Sequence, residues 1–270
     1  RGCFGCTGLL GFGLKQIVLQ QSVVIFASYA KNNAKSFLMF KAMIKDILPN
    51  SVYIYTMSKR LIFALVFMGQ FSLSGQVLGL LKYSGGGDWY ANPTALENLS
   101  EFYNAATGAK TSVATSELTL REVLPSGVSF LHATGHGRIV FDEEERQILN
   151  DFVLRGGFLH IDDNYGMKEF AENELDLCFP QAKKVNVASS HPIFNTLFKF
   201  DGLPKIHEHD NEQPKAIGYF IQGELVALLT VESDLGDGWE DVQVHNDPKE
   251  KRDKALKMGA NLVHWAIVRH

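Results

Sequence analysis

The chain has 270 residues, 46% of them hydrophobic, which suits one large globular domain or two small ones. Its formal net charge of -4 is uneven: residues 1–75 carry +7 and the remainder carries -11. An acidic body argues against nucleic acid as a partner. Only Cys178 lies beyond residue 75, so the body can form neither an internal disulfide nor a cysteine-based zinc site.

The N-terminal segment is basic and patchy up to Thr56 and lacks a sustained helical or alternating period. Met57 then opens MSKRLIFALVFMGQFSLSG, in which a basic pair precedes a short apolar run and small residues, the layout of a secretory signal peptide. The apolar run is too short to span a bilayer comfortably. We therefore expect residues 1–56 to be an upstream extension, 57–75 a signal peptide, and 76–270 a single exported domain. A membrane-anchored N-terminal extension is the alternative.

The exported domain is expected in the periplasm or outside the cell, without a stable membrane span once the signal is cleaved. Its first predicted strand, Gln76 to Tyr83, runs into the glycine-rich loop GGGDWY. Such a loop can present backbone N–H groups to an anion, although it lacks the Lys-Ser/Thr of a P-loop and the spacing of a dinucleotide fingerprint. A helix is predicted from Asn92-Pro93 to about Thr107, followed by a short strand at 111–114.

The central stretch, Val128 to Gly166, predicts a strand, a helix and a second strand. VSFLHA is an apolar, strand-forming run that ends at TGHG. Asp142 and Glu145 form a capping box at the helix start, and Gly156-Gly157 ends the helix. The second strand, FLHI, ends at Asp162-Asp163. A strand–helix–strand of this length is a right-handed crossover between parallel strands. The loops GHG and DDNYG therefore leave the same edge of the sheet, where open α/β sheets bind ligands.

The remaining elements complete an α/β pattern. They are a helix at 167–179, a strand at 184–187, a short helix after Ser189, a polar loop at 201–215, a hairpin of 216–221 with 224–231, a second Gly/Asp loop SDLGDGWE, and a last helix from Pro248. The pattern predicts a three-layer α/β domain whose mostly parallel sheet has five or six strands, with an antiparallel hairpin at or near one edge.

Three residues at the ends of the central strands are candidates for catalysis. His136, between two glycines, could act as a general acid or base, a metal ligand or a hydrogen-bond donor, or could simply bond to backbone. Asp162 and Asp163 point in alternate directions, so one is expected to face the crevice and the other to cap the next helix or pair with a base. Two close carboxylates can raise one pKa or bind a cation.

Further candidates surround these loops. His207-x-His209, with Glu208 and Asp210, has the composition of a metal site but also of a solvated polar loop, so a divalent metal is one candidate cofactor. The spacing of Asp234, Asp237 and Glu240 does not match an EF-hand, and turn chemistry is the alternative to a calcium or substrate role. Aromatic residues beside acids and glycines suit a sugar or peptide ligand, or act as packing lids. The predicted ligand-binding residues are Gly86, Gly87, Asp88, Tyr90, Gly135, Gly137, Asn164, Tyr165, His191, Asp234, Asp237 and Trp239.

Three sequence stretches together resemble the family called domain of unknown function 4159. They are Lys82-Tyr83 with GGGDWY, TGHG with an acidic helix and GGFLHIDD, and HPIF with SDLGDGWE. The resemblance covers about Leu78 to Val268 and implies a class I glutamine amidotransferase-like fold of flavodoxin-like type, without an assigned activity. It places TGHG at the oxyanion loop of that superfamily and Asn164 at the position of the nucleophilic cysteine. The usual His-x-Glu pair is missing, so thiol chemistry is not expected.

These observations lead to two main hypotheses. The first is an exported, amidotransferase-like domain that binds a small molecule, sugar or peptide in the crevice at the carboxyl edge of the sheet; the second is a hydrolase in which His136 acts with Asp162 or Asp163. A scaffold for an envelope protein complex is a third. The sequence also predicts that Asp88, His136, Asp163 and Asp237 surround one pocket, with Tyr90 or Trp239 on its wall.

Overall fold

A seven-stranded sheet organises the part of the chain that the computed structural model describes, residues 77–108 and 114–269. The predicted upstream extension and signal peptide lie outside these residues. The strands occur in the spatial order β2-β1-β3-β4-β7-β6-β5. In chain order they are β1 (Val77–Lys82), β2 (Ala114–Thr119), β3 (Val128–His136), β4 (Phe158–Tyr165), β5 (Lys183–Asn186), β6 (Lys215–Ile221) and β7 (Glu224–Val231).

Most of the sheet is parallel, as predicted. β1 pairs in parallel with β2 and β3, β3 with β4, and β4 with β7, while β6 is antiparallel to both β5 and β7. The predicted parallel pair of the central stretch and the hairpin near one edge are therefore confirmed. Because β1, β3, β4 and β7 run in the same direction, the segments that follow them all leave the carboxyl edge of the sheet.

Helices cover both faces of the sheet. They are α1 (Ala95–Thr107), α2 (Leu120–Ser126), α3 (Glu143–Leu154), α4 (Lys168–Cys178), α5 (Leu235–Trp239), α6 (Val242–His245) and α7 (Lys249–Val268), with a 3₁₀ turn at Pro192–Phe194. One buried cluster joins α2, α3 and α4 to one face of the sheet, and a second joins α1, α5 and α7 to the other. The result is the predicted three-layer α/β sandwich.

The central unit forms for the local reasons that its sequence indicates. Asp142 accepts a hydrogen bond from the backbone N of Glu145 at 2.8 Å, and Glu145 Oε2 accepts from the backbone N of Asp142 at 3.0 Å, completing the capping box. Gly156 ends the helix with a positive φ of 98°. Among the described residues, no helix is both long enough and apolar enough to cross a membrane.

The structure also differs from the expectations in detail. The sheet has seven strands rather than five or six. β2 extends to Thr119, beyond the predicted short strand, and the helix α2 that follows it was not predicted. β3 and β4 continue through Thr134-Gly135-His136 and Asp162 to Tyr165, because the two strands remain paired to their ends. The loop SDLGDGWE contains the short helix α5.

Candidate functional site

Buried amide and hydroxyl side chains meet at the carboxyl edge of the sheet. Asn92 follows β1, Thr134 lies in β3 and Asn164 in β4. The single hydroxyl proton of Thr134 can be donated to either amide oxygen, since Oγ1 lies 2.7 Å from Asn92 Oδ1 and 2.9 Å from Asn164 Oδ1. Asn92 Nδ2 and Asn164 Nδ2 then both donate to Asp237 Oδ1, at 2.7 and 2.9 Å. We call Asn92, Thr134 and Asn164 the amide–hydroxyl network; it fixes one oxygen of Asp237 and leaves the other for different partners.

The second oxygen of Asp237 faces a group of histidines and acids. His207 Nδ1 lies 3.0 Å from Asp237 Oδ2, and His245 Nε2 lies 3.8 Å from the same oxygen. His245 Nε2 is also 3.7 Å from Glu240 Oε2, and His207 Nε2 is 2.8 Å from Asp247 Oδ2. We call the full set the acid–histidine cluster; its members are His207, His209, Asp234, Asp237, Glu240, His245 and Asp247.

The segment that carries His207 and His209 is anchored by its neighbours. Ile206 is buried, and its backbone N donates to the carbonyl of Ser233 at 2.9 Å, just beyond β7. Ser233 Oγ donates to the carbonyl of Pro204 at 2.6 Å. An apolar anchor and two hydrogen bonds therefore hold this otherwise polar loop beside the start of α5, where both histidines reach aspartates.

His209 joins the cluster to the exposed surface. Its Nε2 makes a short contact with Asp234 Oδ2, and its ring lies 5.0 Å from the ring of Tyr165. Asp234 is fully buried and adopts a left-handed conformation with φ 55°. Its second oxygen, Oδ1, has no hydrogen-bond partner among the residues that the structure describes. A buried carboxylate oxygen without a partner is costly, so Asp234 is the least satisfied group of the site.

The charges of the cluster shift the pKa values of its members. Contacts with Asp234 and Asp237 raise the pKa of His207 to about 10, despite its partial burial. Burial raises the pKa of Asp237, but the hydrogen bonds from His207 and Asn92 outweigh that effect and leave the pKa below its ordinary value. Without another cation, the ring of His207 is therefore protonated and neutralises part of the surrounding acid.

The two predicted catalytic aspartates have separate roles. Asp162 is fully buried: its Oδ1 accepts a hydrogen bond from Thr230, and its Oδ2 accepts from the backbone N of Gly236 at 2.6 Å. Burial raises the pKa of Asp162 to about 8, with Asp234 and Asp237 adding to the shift. Asp163 Oδ1 accepts from the backbone N of Met167 at 2.7 Å and so supports the start of α4, while burial raises its pKa.

His136 pairs with Asp88 rather than with either of those aspartates. His136 Nδ1 lies 3.0 Å from Asp88 Oδ2, and the backbone N of His136 donates to Asp88 Oδ1. The His136 side chain is 51% exposed. Gly135 permits this approach, because its φ is +135° and a Cβ there would lie 2.7 Å from Asp88 Oδ1. A carboxylate on Nδ1 orients the ring and leaves Nε2 as the nitrogen able to exchange a proton.

The residues predicted to surround one pocket therefore form two separate contact groups. Among the described residues, no hydrogen bond links the side chains of His136 and Asp88 to Asp163 or Asp237. Tyr165 contacts both groups: its backbone O accepts from Gly137 N at 3.3 Å, and its half-exposed ring packs against the ring of His209 in a tilted arrangement. The two groups thus border one surface at the carboxyl edge.

The other candidate residues occupy different environments. Tyr90 is exposed and packs edge-on against Trp89, with ring centroids 5.5 Å apart. Trp239 is fully buried in the core, where its Nε1 donates to the carbonyl of Ala255 at 2.8 Å. His191 caps the 3₁₀ turn by accepting from Ile193 N at 3.2 Å. Gly86 and Gly87 lie in the loop before Asp88, and Gly87 N donates to the carbonyl of Arg138 at 2.9 Å, which joins that loop to GHG.

Sequence reasoning did not single out Asn92, Thr134, His245 or Asp247 as site residues. The sequence predicts a helix start at Asn92, and it predicts for Thr134 a strand break within the TGHG stretch. His245 and Asp247 lie in a short polar stretch between two helices. Their positions carry a usable signal: Thr134 lies near the carboxyl end of β3 and Asn92 lies in the segment that follows β1, and polar residues there can meet at one edge of the sheet.

One open cavity of about 380 Å³ lies elsewhere, beside β5 and β6. It is lined by Gln181, Lys183, Val185, Phe220, Gln222 and Gly223. It contains none of the acid–histidine pairs, so the polar groups at the carboxyl edge form the stronger candidate site.

The fold and site together define a three-layer α/β protein with a polar, histidine-rich carboxyl edge. A family model described as "Domain of unknown function (DUF4159)" matches residues 77–267, and the chain belongs to that family. No curated protein matches the chain significantly.

Proposed function

We propose that this is an exported, amidotransferase-like domain that lacks thiol chemistry and binds a sugar or peptide at the carboxyl edge of its sheet. The single observation that carries the proposal is the surface formed by His136, Tyr165 and His209. Tyr165 pairs with His136 across β3 and β4, its ring lies 5.0 Å from that of His209, and each histidine is oriented by a carboxylate. An exposed aromatic face beside oriented hydrogen-bonding groups suits a sugar ring or a peptide.

The absence of thiol chemistry is supported by the residues at the expected nucleophile position. Asn164 occupies that position in the resemblance to amidotransferases, and its amide is engaged by Thr134, Asn92 and Asp237. Cys178 lies in α4, and burial raises the pKa of its thiol to about 12. Neither residue offers a thiolate at neutral pH.

Export is supported by the sequence MSKRLIFALVFMGQFSLSG alone. N-terminal sequencing of the natural protein tests it. We expect a mature start just after the small residues at 72–75, and a mature start well before Ser72 would contradict export by this signal.

Ligand binding is tested by titrating the full chain with N-acetylglucosamine oligomers and with short alanine peptides. Protein NMR or thermal shift provides the readout. We expect saturable binding by at least one of these probes, weakened about tenfold or more by Tyr165→Ala. Leu177→Ala is the matched control, since Leu177 is 51% exposed and Tyr165 is 50% exposed, yet Leu177 lies on α4. No binding by either probe class, or equal weakening in both variants, would refute the proposal.

A hydrolase is the second candidate, favoured by the accessible His136–Asp88 pair. In this version His136 is the acid/base and Asp88 orients it, whereas Asp162 and Asp163 are occupied by buried hydrogen bonds. Hydrolysis of p-nitrophenyl esters and glycosides provides the assay. Activity should fall at least about 100-fold in His136→Ala and also fall in Asp88→Asn. Equal rates in the wild type and His136→Ala would exclude this candidate.

A further inference from the structure

We propose that His207 Nδ1, Asp237 Oδ2 and His245 Nε2 bind one divalent first-row transition-metal ion, with zinc as the reference ion. The inference deepens the proposed function, and rests on it, by adding a metal to the same carboxyl-edge surface. The three residues come from the loop before β6, from α5 and from α6, so the site exists only in the folded domain.

The ligand atoms already lie at suitable separations. One nitrogen or oxygen from each of the three residues lies within 4.8 Å of the others. Asp237 Oδ2 is 3.0 Å from His207 Nδ1 and 3.8 Å from His245 Nε2. Bonds of about 2.1 Å to a tetrahedral zinc ion place neighbouring ligand atoms about 3.4 Å apart. Both distances to Asp237 Oδ2 are therefore within about 0.4 Å of this separation, and closing the two histidine rings around the ion would complete the three bonds.

The opposite nitrogen of His207 supports the same assignment. His207 Nε2 lies 2.8 Å from Asp247 Oδ2, so a neutral ring that donates there presents the lone pair of Nδ1 to the metal. Metal-bound histidines commonly donate their second N–H to a carboxylate, which fixes the ring and increases its basicity. On the other side, Asn92 and Asn164 hold Asp237 Oδ1 and leave Oδ2 for the metal.

Asp234 provides an independent observation. Its side chain is fully buried, its Oδ2 lies 3.6 Å from His207 Nδ1, and its Oδ1 has no partner among the described residues. Leaving a buried carboxylate oxygen without a partner is costly, so a cation beside Asp234 would stabilise it. A metal ion between His207 and Asp237 would supply that charge, with Asp234 as a further ligand or as a counter-charge.

The donor set also selects the class of metal. Two imidazole nitrogens with a carboxylate favour zinc and its first-row neighbours, whereas calcium and magnesium prefer sites made of oxygen alone. Three protein ligands leave at least one coordination position for water or a ligand. His245 is 32% exposed, so the ion can enter from solvent.

The test compares zinc binding by the metal-stripped full chain and its variants, using equilibrium dialysis and elemental analysis. We expect the wild type to bind one equivalent of zinc more than His245→Ala. The substitution should reduce the zinc affinity of this site at least about 100-fold. His245 is 32% exposed and contacts Asp237, Glu240 and the ring of His207, so the variant should fold. Cys3 and Cys6 are unchanged in every variant, so any zinc that they bind cancels.

His264→Ala is the matched control. His264 is a partly exposed histidine of α7 that contacts Tyr103 OH at 3.1 Å. Its substitution by alanine should leave zinc binding unchanged. Cobalt(II) should give a visible absorption band in the wild type that His245→Ala and Asp237→Asn both lose. Equal zinc content in wild type and His245→Ala, or an equal loss in His264→Ala, would overturn the site.

The metal and ligand proposals fail separately. Zinc binding that depends on His245, without binding of the sugar or peptide probes, would refute the proposed function and retain the metal site. Probe binding that depends on Tyr165, with no zinc difference between the wild type and His245→Ala, would refute the metal site alone.

Discussion

Substitution of Asp162 by Asn should make the folding stability of the protein less sensitive to rising pH. Asp162 is fully buried, and burial raises its pKa to about 8, well above the ordinary value for an aspartate. The folded state therefore keeps a proton that the unfolded chain releases above about pH 4. Because the folded state binds more protons in this window, the contribution of Asp162 to the free energy of unfolding is fully present below about pH 4. It is lost as the pH rises towards 8.

The magnitude follows from the size of the shift. Each pH unit between these two pKa values costs the wild type about 1.4 kcal/mol relative to a variant that cannot ionise. Between pH 5 and pH 7 the difference should therefore reach roughly 3 kcal/mol, a substantial part of the stability of a typical domain. Asparagine imitates the protonated acid: its amide can donate to Thr230 Oγ1, and its oxygen can accept from Gly236 N.

The assay is urea unfolding of the full chain, followed by tryptophan fluorescence at pH 5, 6, 7 and 8. The free energy of unfolding of Asp162→Asn minus that of the wild type should increase with pH. Asp201→Asn, which changes an exposed aspartate, should show no such trend. Parallel curves for the wild type and Asp162→Asn would show that Asp162 is ionised in the folded state and would refute the reasoning.

Three further predictions concern other buried groups. Cys178, whose pKa is raised to about 12 by burial, should resist iodoacetamide at pH 8 in the folded protein and react in urea, as peptide mapping by mass spectrometry can show. Asp163→Ala should cost about 1–2 kcal/mol in urea unfolding, since Met167 N loses its acceptor, and Asp163→Asn should cost clearly less. Gly259→Ala would place a Cβ 2.7 Å from the Trp239 ring, so it should destabilise the fold by about 1–3 kcal/mol; an unchanged melting temperature would contradict the close packing there.

The parts of the fold that could be predicted from sequence depend on local physics. The capping box of Asp142 and Glu145 specifies where α3 begins, and Gly156-Gly157 specifies where it ends. Alternating and apolar runs separated by Gln222-Gly223 specify the hairpin. In each case the deciding residues lie within a few positions of one another, so the sequence contains the whole signal.

The strand ends could not be predicted in the same way. Thr134-Gly135-His136 looks like a strand break because glycine usually weakens a strand. In the structure, Thr134 and Gly135 pair with Asp162 and Asp163, and those contacts extend both strands. The helix α2 is not among the elements predicted from sequence, although Thr119 and Glu122 form a capping box at its start; the helix also contains Pro125, a residue that usually disfavours a helix interior.

The candidate site shows the same division between local and distant information. Sequence reasoning identified His136, Asp163 and Asp237 as chemically notable, but the partner of each depends on the fold: Asp88 lies 48 positions from His136, and Asn164 lies 73 positions from Asp237. His207-x-His209 has the composition of a metal site and also of a solvated loop. The contact that positions it, from the buried Ile206 to the end of β7, joins residues distant in sequence.

The amide–hydroxyl network orients the carboxylate of Asp237. Asn92 and Asn164 use their N–H groups on one oxygen of Asp237, so the negative charge of the other oxygen is directed at the two nearby histidine rings. A carboxylate oxygen held in this way favours the protonated form of a neighbouring histidine. The amide of Asn164 and the acid of Asp237 therefore belong to one arrangement, in which hydrogen bonds to one carboxylate oxygen orient the other towards His207 and His245.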